Sequence, residues 1–436
     1  MIKSCRHIQE AIYFGPDEIR TCCQRFFYKG KMKGDACLIT TMEPTKVSYQ
    51  EILEAKRALL EKINNDEESP CKGCPQIELK DWPAIEASEL KTISVENHSL
   101  CNMKCTYCSP LYFGGVSPKY DVLTATKDAP ISKTEKVLLW GGGEPTARPD
   151  FEALFEELSG IFQPQTQRIF TNAIIYSESI QRSIDNHKTF ITTSIDAGTE
   201  GTFEKVRKNK GFRKVLANLK KYASRNPEMV TVKYILTEAN SEIHELDQFI
   251  SSIKDSELEL CHFLISTDFK AQKLSDEILY SGLYLYCKLY LSGIRAINLD
   301  DHFFNRVKKR SSLFELLGQL SVDLGHCTSW LEELDQKFST GSVRKVVLWG
   351  SGQQSELLYK RITGHAKKRY EVLGVTDSSQ NRWGCKVGSH IVENPTKFDF
   401  DNCGIIIASS NYYGEIYGQI IRCGISRDAI LPNIFL

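Results

Sequence analysis

The sequence predicts an α/β fold: a partial (β/α)6 barrel of the TIM type, with a cysteine-rich module in front and a Rossmann-like domain behind. Three observations carry this. Between residues 90 and 300, short apolar runs alternate with helical stretches six times, which implies a parallel sheet, open or curled toward a barrel. Nine of the 15 cysteines lie before Ser109, which sets the front of the chain apart. A second strand–helix–strand series, opened by a Gly-rich turn, begins after residue 343. The boundaries drawn are 1–88, 89–300, a helical linker 301–342, and 343–436.

The elements follow in order. Residues 11–13 and 19–21 read as two short strands around the Gly15-Pro16-Asp17 turn. Ile52, Leu53, Leu59, Leu60 and Ile63 recur at helical spacing and predict a helix over 49–64. The barrel strands are expected at 92–96, 137–140, 168–171, 190–195, 230–236 and 260–266. Helices are expected at 151–158, 178–186, 202–207, 212–222 and 243–253. Residues 302–337 read as helical. In the last domain, strands are expected at 346–349, 370–376 and 405–409, with helices at 356–362 and 415–423.

Composition narrows the function. The chain has 436 residues, 41% of them hydrophobic, which is enough to build sizeable cores. Lys+Arg 55 balances Asp+Glu 55, so no overall charge favours nucleic acid or an anionic membrane as partner. No apolar run approaches the ~20 residues of a membrane span. Residues 1–30 lack a signal-peptide pattern, so the expected location is the cytoplasm. A reducing compartment points the closely spaced cysteines to metal rather than to disulfides.

The strongest motif is Cys101-Asn102-Met103-Lys104-Cys105-Thr106-Tyr107-Cys108, directly after the first barrel strand. An iron–sulfur cubane takes four thiolates, so three clustered ones leave one iron open to bind a substrate or cofactor. The alternative from the residues alone is structural zinc. The spacing C-x-x-x-C-x-x-C, with Tyr107 before the last cysteine, resembles the radical S-adenosylmethionine (radical SAM) superfamily. That resemblance implies a [4Fe-4S] cluster on Cys101, Cys105 and Cys108. It also implies SAM bound at the open iron, and an external electron donor such as flavodoxin or ferredoxin. Trp140-Gly141-Gly142-Gly143-Glu144-Pro145 looks like the family's Gly-Gly-Glu-Pro motif. By resemblance, Gly142, Gly143 and Glu144 receive the SAM amino group. Asn172 lies in Thr171-Asn172-Ala173, where the family often has Thr-Asn-Gly, so Ala173 departs from the pattern. Ser194, in Ser194-Ile195-Asp196, is similar to the family's Ser-x-Asp and is a candidate for the SAM ribose or carboxylate. Arg207 is a candidate for the carboxylate. Asp196, Asp268 and Lys270 lie near strand ends and are candidates to face substrate.

Cys71-Lys72-Gly73-Cys74 is a C-x-x-C, compatible with zinc, redox or iron–sulfur chemistry. With Cys5 and the pair Cys22-Cys23 upstream, the order looks like the auxiliary-cluster extension called SPASM, placed here before the barrel instead of after it. The resemblance implies a second [4Fe-4S] cluster on Cys5, Cys22, Cys71 and Cys74. Cys23 is an alternative to Cys22. A four-cysteine zinc site on the same residues is the competing assignment.

Gly350-Ser351-Gly352 follows a strand and opens a helix, a variant of the dinucleotide fingerprint, and Asp377 ends the next strand. This segment resembles small Rossmann-like domains appended to sugar and surface-polysaccharide enzymes. The expected function is hydrogen-atom abstraction from a small-molecule substrate, a sugar, sugar nucleotide or glycan, giving oxidation or epimerisation. Peptide or protein maturation is the alternative, and a non-enzymatic zinc-binding interaction protein is the competing class.

Overall fold

The structure is a computed structural model and describes residues 1–268, 270–271, 274–300, 303, 320, 323–324, 344–364 and 370–431. Almost all of the expected helical linker, 301–342, lies outside the described residues. The chain divides into two compact units, Met1–Thr192 and Thr193–Leu436.

In the first unit, β1 (Ile2–Ser4) pairs antiparallel with β7 (Glu78–Lys80). The expected hairpin is present: β2 (Ala11–Phe14) and β3 (Glu18–Arg20) pair antiparallel across the Gly-Pro-Asp turn. β3 continues to β6 (Cys37–Thr40). A second hairpin, β4 (Arg25–Tyr28) with β5 (Lys31–Gly34), was not anticipated. Its sequence lacks apolar alternation. Its turn is Lys29-Gly30, both at positive φ (49° and 76°), the conformation a two-residue hairpin needs.

The parallel strands follow: β8 (Thr92–Val95), β9 (Val137–Trp140), β10 (Thr166–Phe170) and β11 (Thr189–Ser194). Each pairs in parallel with the next. β2 lies parallel beside β8, with Ala11 opposite Thr92 and Phe14 opposite Val95. The cysteine-rich segment therefore extends the barrel sheet through β2.

Local chemistry explains the helices. Ser48 and Glu51 form a capping box at the start of the helix Tyr49–Asn64. Its face of Leu53, Leu59, Leu60 and Ile63 packs with Cys5, Ile8, Ala36, Cys71 and Ile85. The helix Phe151–Phe162 lays Phe151 and Phe155 on Trp140, with ring centroids 5.7 and 5.4 Å away.

The second unit opens at the end of β11, where the Ile195 N–H donates to Lys233 O at 3.0 Å. β12 (Val230–Leu236), β13 (His262–Thr267) and β14 (Ile297–Leu299) are parallel neighbours. β8 to β13 supply the six strands of the expected partial barrel, and β14 adds one that the sequence did not announce.

The last domain is a five-stranded sheet of β15 (Arg344–Trp349), β16 (Tyr370–Thr376), β17 (Lys386–Val387), β18 (His390–Glu393) and β19 (Gly404–Ile407), ordered β17-β18-β16-β15-β19. It is packed on the barrel strands of its own unit. Tyr413 stacks on His262 with centroids 5.2 Å apart, and the Tyr417 hydroxyl donates to Leu260 O at 3.2 Å. Ala296 joins the apolar cluster of Trp349, Ile405 and Ile407.

Candidate active site

β8, β9 and β10 are parallel, so their C-terminal ends share one edge, where α/β barrels place their chemistry. β8 ends at Val95, and residues 96–100 lead into the three-cysteine loop. The Gly-rich loop after β9 holds this lead. The Gly141 N–H donates to Val95 O at 3.1 Å, Gly143 N–H to His98 O at 3.2 Å, and Glu144 N–H to Leu100 O at 2.7 Å. The approach is so close that a Cβ on Gly143 would lie 2.2 Å from Leu100 O. One on Gly142, at φ +85°, would lie 2.9 Å from Glu96 Cα. These glycines are required by backbone contact with the cysteine loop.

Within the loop, the Met103 N–H points to Cys101 Sγ at 3.4 Å, and the Cys108 N–H donates to Cys105 O at 3.0 Å. Tyr107 and Met103 are buried, while Cys101, Cys105 and Cys108 are partly exposed. His98 is buried, and desolvation pushes its imidazole down to about 4. Its neutral Nδ1 accepts the Leu100 N–H at 3.2 Å.

Glu144 is fully engaged inside the protein and 1% exposed. Its Oε1 accepts from the Thr146 N–H (3.2 Å), the Thr146 hydroxyl (2.6 Å) and the Thr171 hydroxyl (2.7 Å); Oε2 accepts from the Asn172 N–H (2.5 Å). Burial raises its carboxyl and these donors oppose the rise. The carboxylate ties β9 to β10. Asn172 completes the junction: its Nδ2 donates to Asn102 Oδ1 at 2.6 Å and lies 3.9 Å from Cys101 Sγ. Ala173 has φ +56°, the conformation for which glycine is the relaxed choice.

In front of this junction stands Glu96, which the sequence reading treated only as a strand end. The Tyr13 hydroxyl donates to its Oε2 at 2.8 Å. Burial pushes its carboxyl up, against the pull of Tyr13 and Arg20.

In the second unit, Ser194 ends β11 and is half-buried. Asp196 is 0% exposed; its Oδ1 accepts the Ile235 N–H at 2.6 Å and its Oδ2 accepts Arg207 Nη1 at 2.9 Å. Asn240 Nδ2 donates to Asp196 O at 2.9 Å. Asp196 and Arg207 thus hold each other in the core. Asp268 Oδ1 accepts the Lys270 N–H at 2.8 Å, a turn cap, and Lys270 is exposed.

The thiols of Cys5, Cys22, Cys71 and Cys74 all lie within electrostatic reach of one another. Cys23 faces Glu96, Cys22 and Asp35 instead. Burial, then the neighbouring thiols, pushes Cys71 up to about 12. Gly73 is pressed on the Tyr28 ring, where a Cβ would sit 2.1 Å from it. Lys56 is buried beside Cys5, and desolvation lowers it to about 7. Among the described residues, no three Cys, His, Asp or Glu side chains close on a single ion. A cubane is a larger group, with one cysteine on each of its irons.

The fingerprint loop of the last domain is closed on itself. Asp377 Oδ2 accepts from the Ser351 N–H (2.8 Å) and hydroxyl (2.5 Å), and Arg382 Nη2 donates to Ser351 O at 2.7 Å. Asp377 therefore braces the Gly-rich turn, where the sequence had suggested an acid for a ribose.

Residues 98–250 match the family described as Radical SAM superfamily, and residues 342–431 match C2185-like, N-terminal. The chain is 28% identical over 153 residues to molybdenum cofactor biosynthesis protein 1 of Mus musculus, covering 34% of this chain and 24% of that protein. It is 26% identical over 200 residues to the GTP 3′,8-cyclase of Mannheimia succiniciproducens, covering 44% and 59%. It thus spans a quarter to three-fifths of the length of these relatives. Among solved structures, anSMEcpe with bound AdoMet aligns at TM-score 0.36 and 18% identity, over 50% of this chain and 65% of that one. Streptococcus suis SuiB bound to precursor peptide SuiA aligns at 0.37 and 12%, over 60% and 56%. The cofactors that go with the matched family are SAM and a [4Fe-4S] cluster. Residues 98–250 are thus the part of the chain that is similar to the radical SAM superfamily.

Proposed function

We propose that the enzyme cleaves SAM reductively and abstracts a hydrogen atom from an unactivated C–H of a sugar, sugar nucleotide or glycan. The observation that carries this is the junction of three strand ends on one loop of three half-exposed thiols. Cys101, Cys105 and Cys108 would hold a cubane with one iron free of protein ligands. When bound there, the cluster and SAM supply the 5′-deoxyadenosyl radical. The chain's own part is to fix the loop through Gly143, Glu144 and Asn172 and to shield it with Met103 and Tyr107.

Cys5, Cys22, Cys71 and Cys74 would hold a second [4Fe-4S] cluster, fully ligated and so suited to electron transfer or support. The mutual approach of these four thiols supports Cys22 over Cys23. The reductant is a flavodoxin or ferredoxin. No helix among the described residues is long and apolar enough to cross a membrane, and we place the enzyme in the cytoplasm.

The relatives named GTP 3′,8-cyclase carry a ribose carbon in their reaction name, which supports a sugar C–H as the reacting bond. The SPASM-like order of the front cysteines favours a second reading, a peptide substrate. Anaerobic turnover with dithionite and SAM tests the core of the proposal. The wild type should form 5′-deoxyadenosine, and Cys105→Ala should form none. Equal product from both would remove the site. Deuterated nucleotide sugars, GTP and peptides then separate the substrate classes by deuterium transfer into 5′-deoxyadenosine.

A further inference from the structure

The hairpin β4–β5 has one face against the front thiol set and one face against nothing. Alternation along each strand and the register of the pair place Phe26, Tyr28, Lys31 and Lys33 on one side, and Arg25, Phe27 and Met32 on the other. The first side is seated on the loop that carries Cys71 and Cys74. The Tyr28 ring presses on Gly73, and Lys33 binds Glu68 and, at 3.4 Å, Ser69 O. The root of the hairpin closes directly after Cys22-Cys23, where the Asp35 N–H donates to Gln24 O at 2.9 Å. The second side is uncovered. Phe27 and Met32 stand opposite each other in the pair and are 77% and 62% exposed. Around this apolar pair the hairpin is basic: residues 25–34 hold Arg25, Lys29, Lys31 and Lys33 and no acid, in a chain whose charges balance. The acids nearby, Asp35 and Glu68, are taken up by Arg20, Arg25 and Lys33. Lys29 and Lys31, at the tip, are exposed.

We propose that this face docks an acidic one-electron carrier protein, which passes its electron to the cluster held by Cys5, Cys22, Cys71 and Cys74. This rests on the reading of the front thiol set as an iron–sulfur site. An apolar centre ringed by cations complements a negatively charged partner, and opposite charge speeds the encounter and sets its orientation. A ten-residue hairpin offers a small contact area, which suits the brief encounters of electron-transfer proteins. The seated side puts that contact directly over residues 69–74, so the electron has little protein to cross. One electron leaves the carrier, which is oxidised, and one reduces the cluster; no atom is transferred.

The test uses full-length, iron-loaded protein and two reductants: an acidic flavodoxin in its hydroquinone form, and dithionite, which needs no docking. Anaerobic stopped-flow follows the bleaching of the iron–sulfur absorbance. With flavodoxin, the wild-type rate should fall at least about tenfold from low to high salt. Lys29→Glu with Lys31→Glu should lower the low-salt rate about tenfold or more and flatten its salt dependence. Phe27→Ser with Met32→Ser should weaken flavodoxin binding about tenfold and keep the salt dependence. Reduction by dithionite should be unchanged in both variants. Flavodoxin should also still bleach Cys105→Ala, where only the front cluster remains. Wild-type flavodoxin rates in both double variants overturn the proposal, and so does a wild-type rate indifferent to salt. Equal slowing with dithionite overturns it too and marks the hairpin as structural. Loss of binding to an acidic peptide, with flavodoxin rates intact, would give the face to a substrate instead. Wild-type protein with about four iron per chain in place of about eight would refute the front cluster itself, and with it the electron's destination.

Discussion

Ala173 shows how a single residue records the cost of the site. It is buried with φ +56°, so its methyl sits in a conformation that costs an L-residue roughly 1–2 kcal/mol. Glycine there relieves the strain but frees the unfolded chain by about 0.4–1 kcal/mol and removes a methyl worth about 0.8 kcal/mol. Ala173→Gly should therefore shift thermal stability little. Ala173→Val, branched and fully buried, should lower it by more than about 2 kcal/mol. A tolerated valine would disprove the backbone reading. His262 makes a pH prediction. It is 4% exposed and wedged between Thr231 (2.9 Å) and Asn298 (2.6 Å), and desolvation lowers it to about 4. A histidine whose folded value lies below its unfolded ~6.5 costs nothing above that pH. Between there and 4, the unfolded chain takes the proton and the fold does not, so stability falls by about 1.4 kcal/mol per pH unit. Urea midpoints at pH 7 and pH 5 should diverge in the wild type and draw together in His262→Gln.

At the scale of elements, the legible parts were those with strong period or rare residues. The helix Tyr49–Asn64 and the strands β9 and β12 fall where apolar spacing put them. The hairpin β4–β5 was missed because its strands carry Arg25, Lys31 and Lys33 and pair through backbone, with the turn conformation as the only signal. The helix Asp276–Leu291 was missed because ten of its residues are buried, which erases an amphipathic stripe. The same limit applies to the site. Cysteine spacing announced both thiol sets, but nothing in one sequence says that Glu144 turns inward, that Asp196 pairs with Arg207, or that Tyr13 reaches Glu96. Those depend on which backbone approaches which. The front thiol set gives its own prediction. Cys71→Ala should lower iron from about eight to about four per chain while 5′-deoxyadenosine formation remains detectable. Iron unchanged from the wild type would refute the second cluster.

At the scale of the whole chain, two features limit how independent its parts are. The last domain shares an apolar cluster and an aromatic stack with the barrel strands of its own unit, through Ala296, His262 and Tyr413. Its fingerprint loop is braced by Asp377 and Arg382. Both argue for support of the barrel over nucleotide capture. The front segment likewise contributes a strand to the barrel sheet, and through Tyr13 it contributes a group that reaches Glu96.

The pairing of β2 with β8 also dictates an order of events during synthesis. Some 80 residues separate Ala11 from Thr92, so the contact is distant along the chain, and closing such a loop slows folding. On the ribosome, the first hairpin must wait, one edge unpaired, until β8 has emerged. Cys5 and Cys22 wait likewise for Cys71 and Cys74. A nascent chain of this kind carries an unpaired strand edge and separated thiols until its later segments emerge.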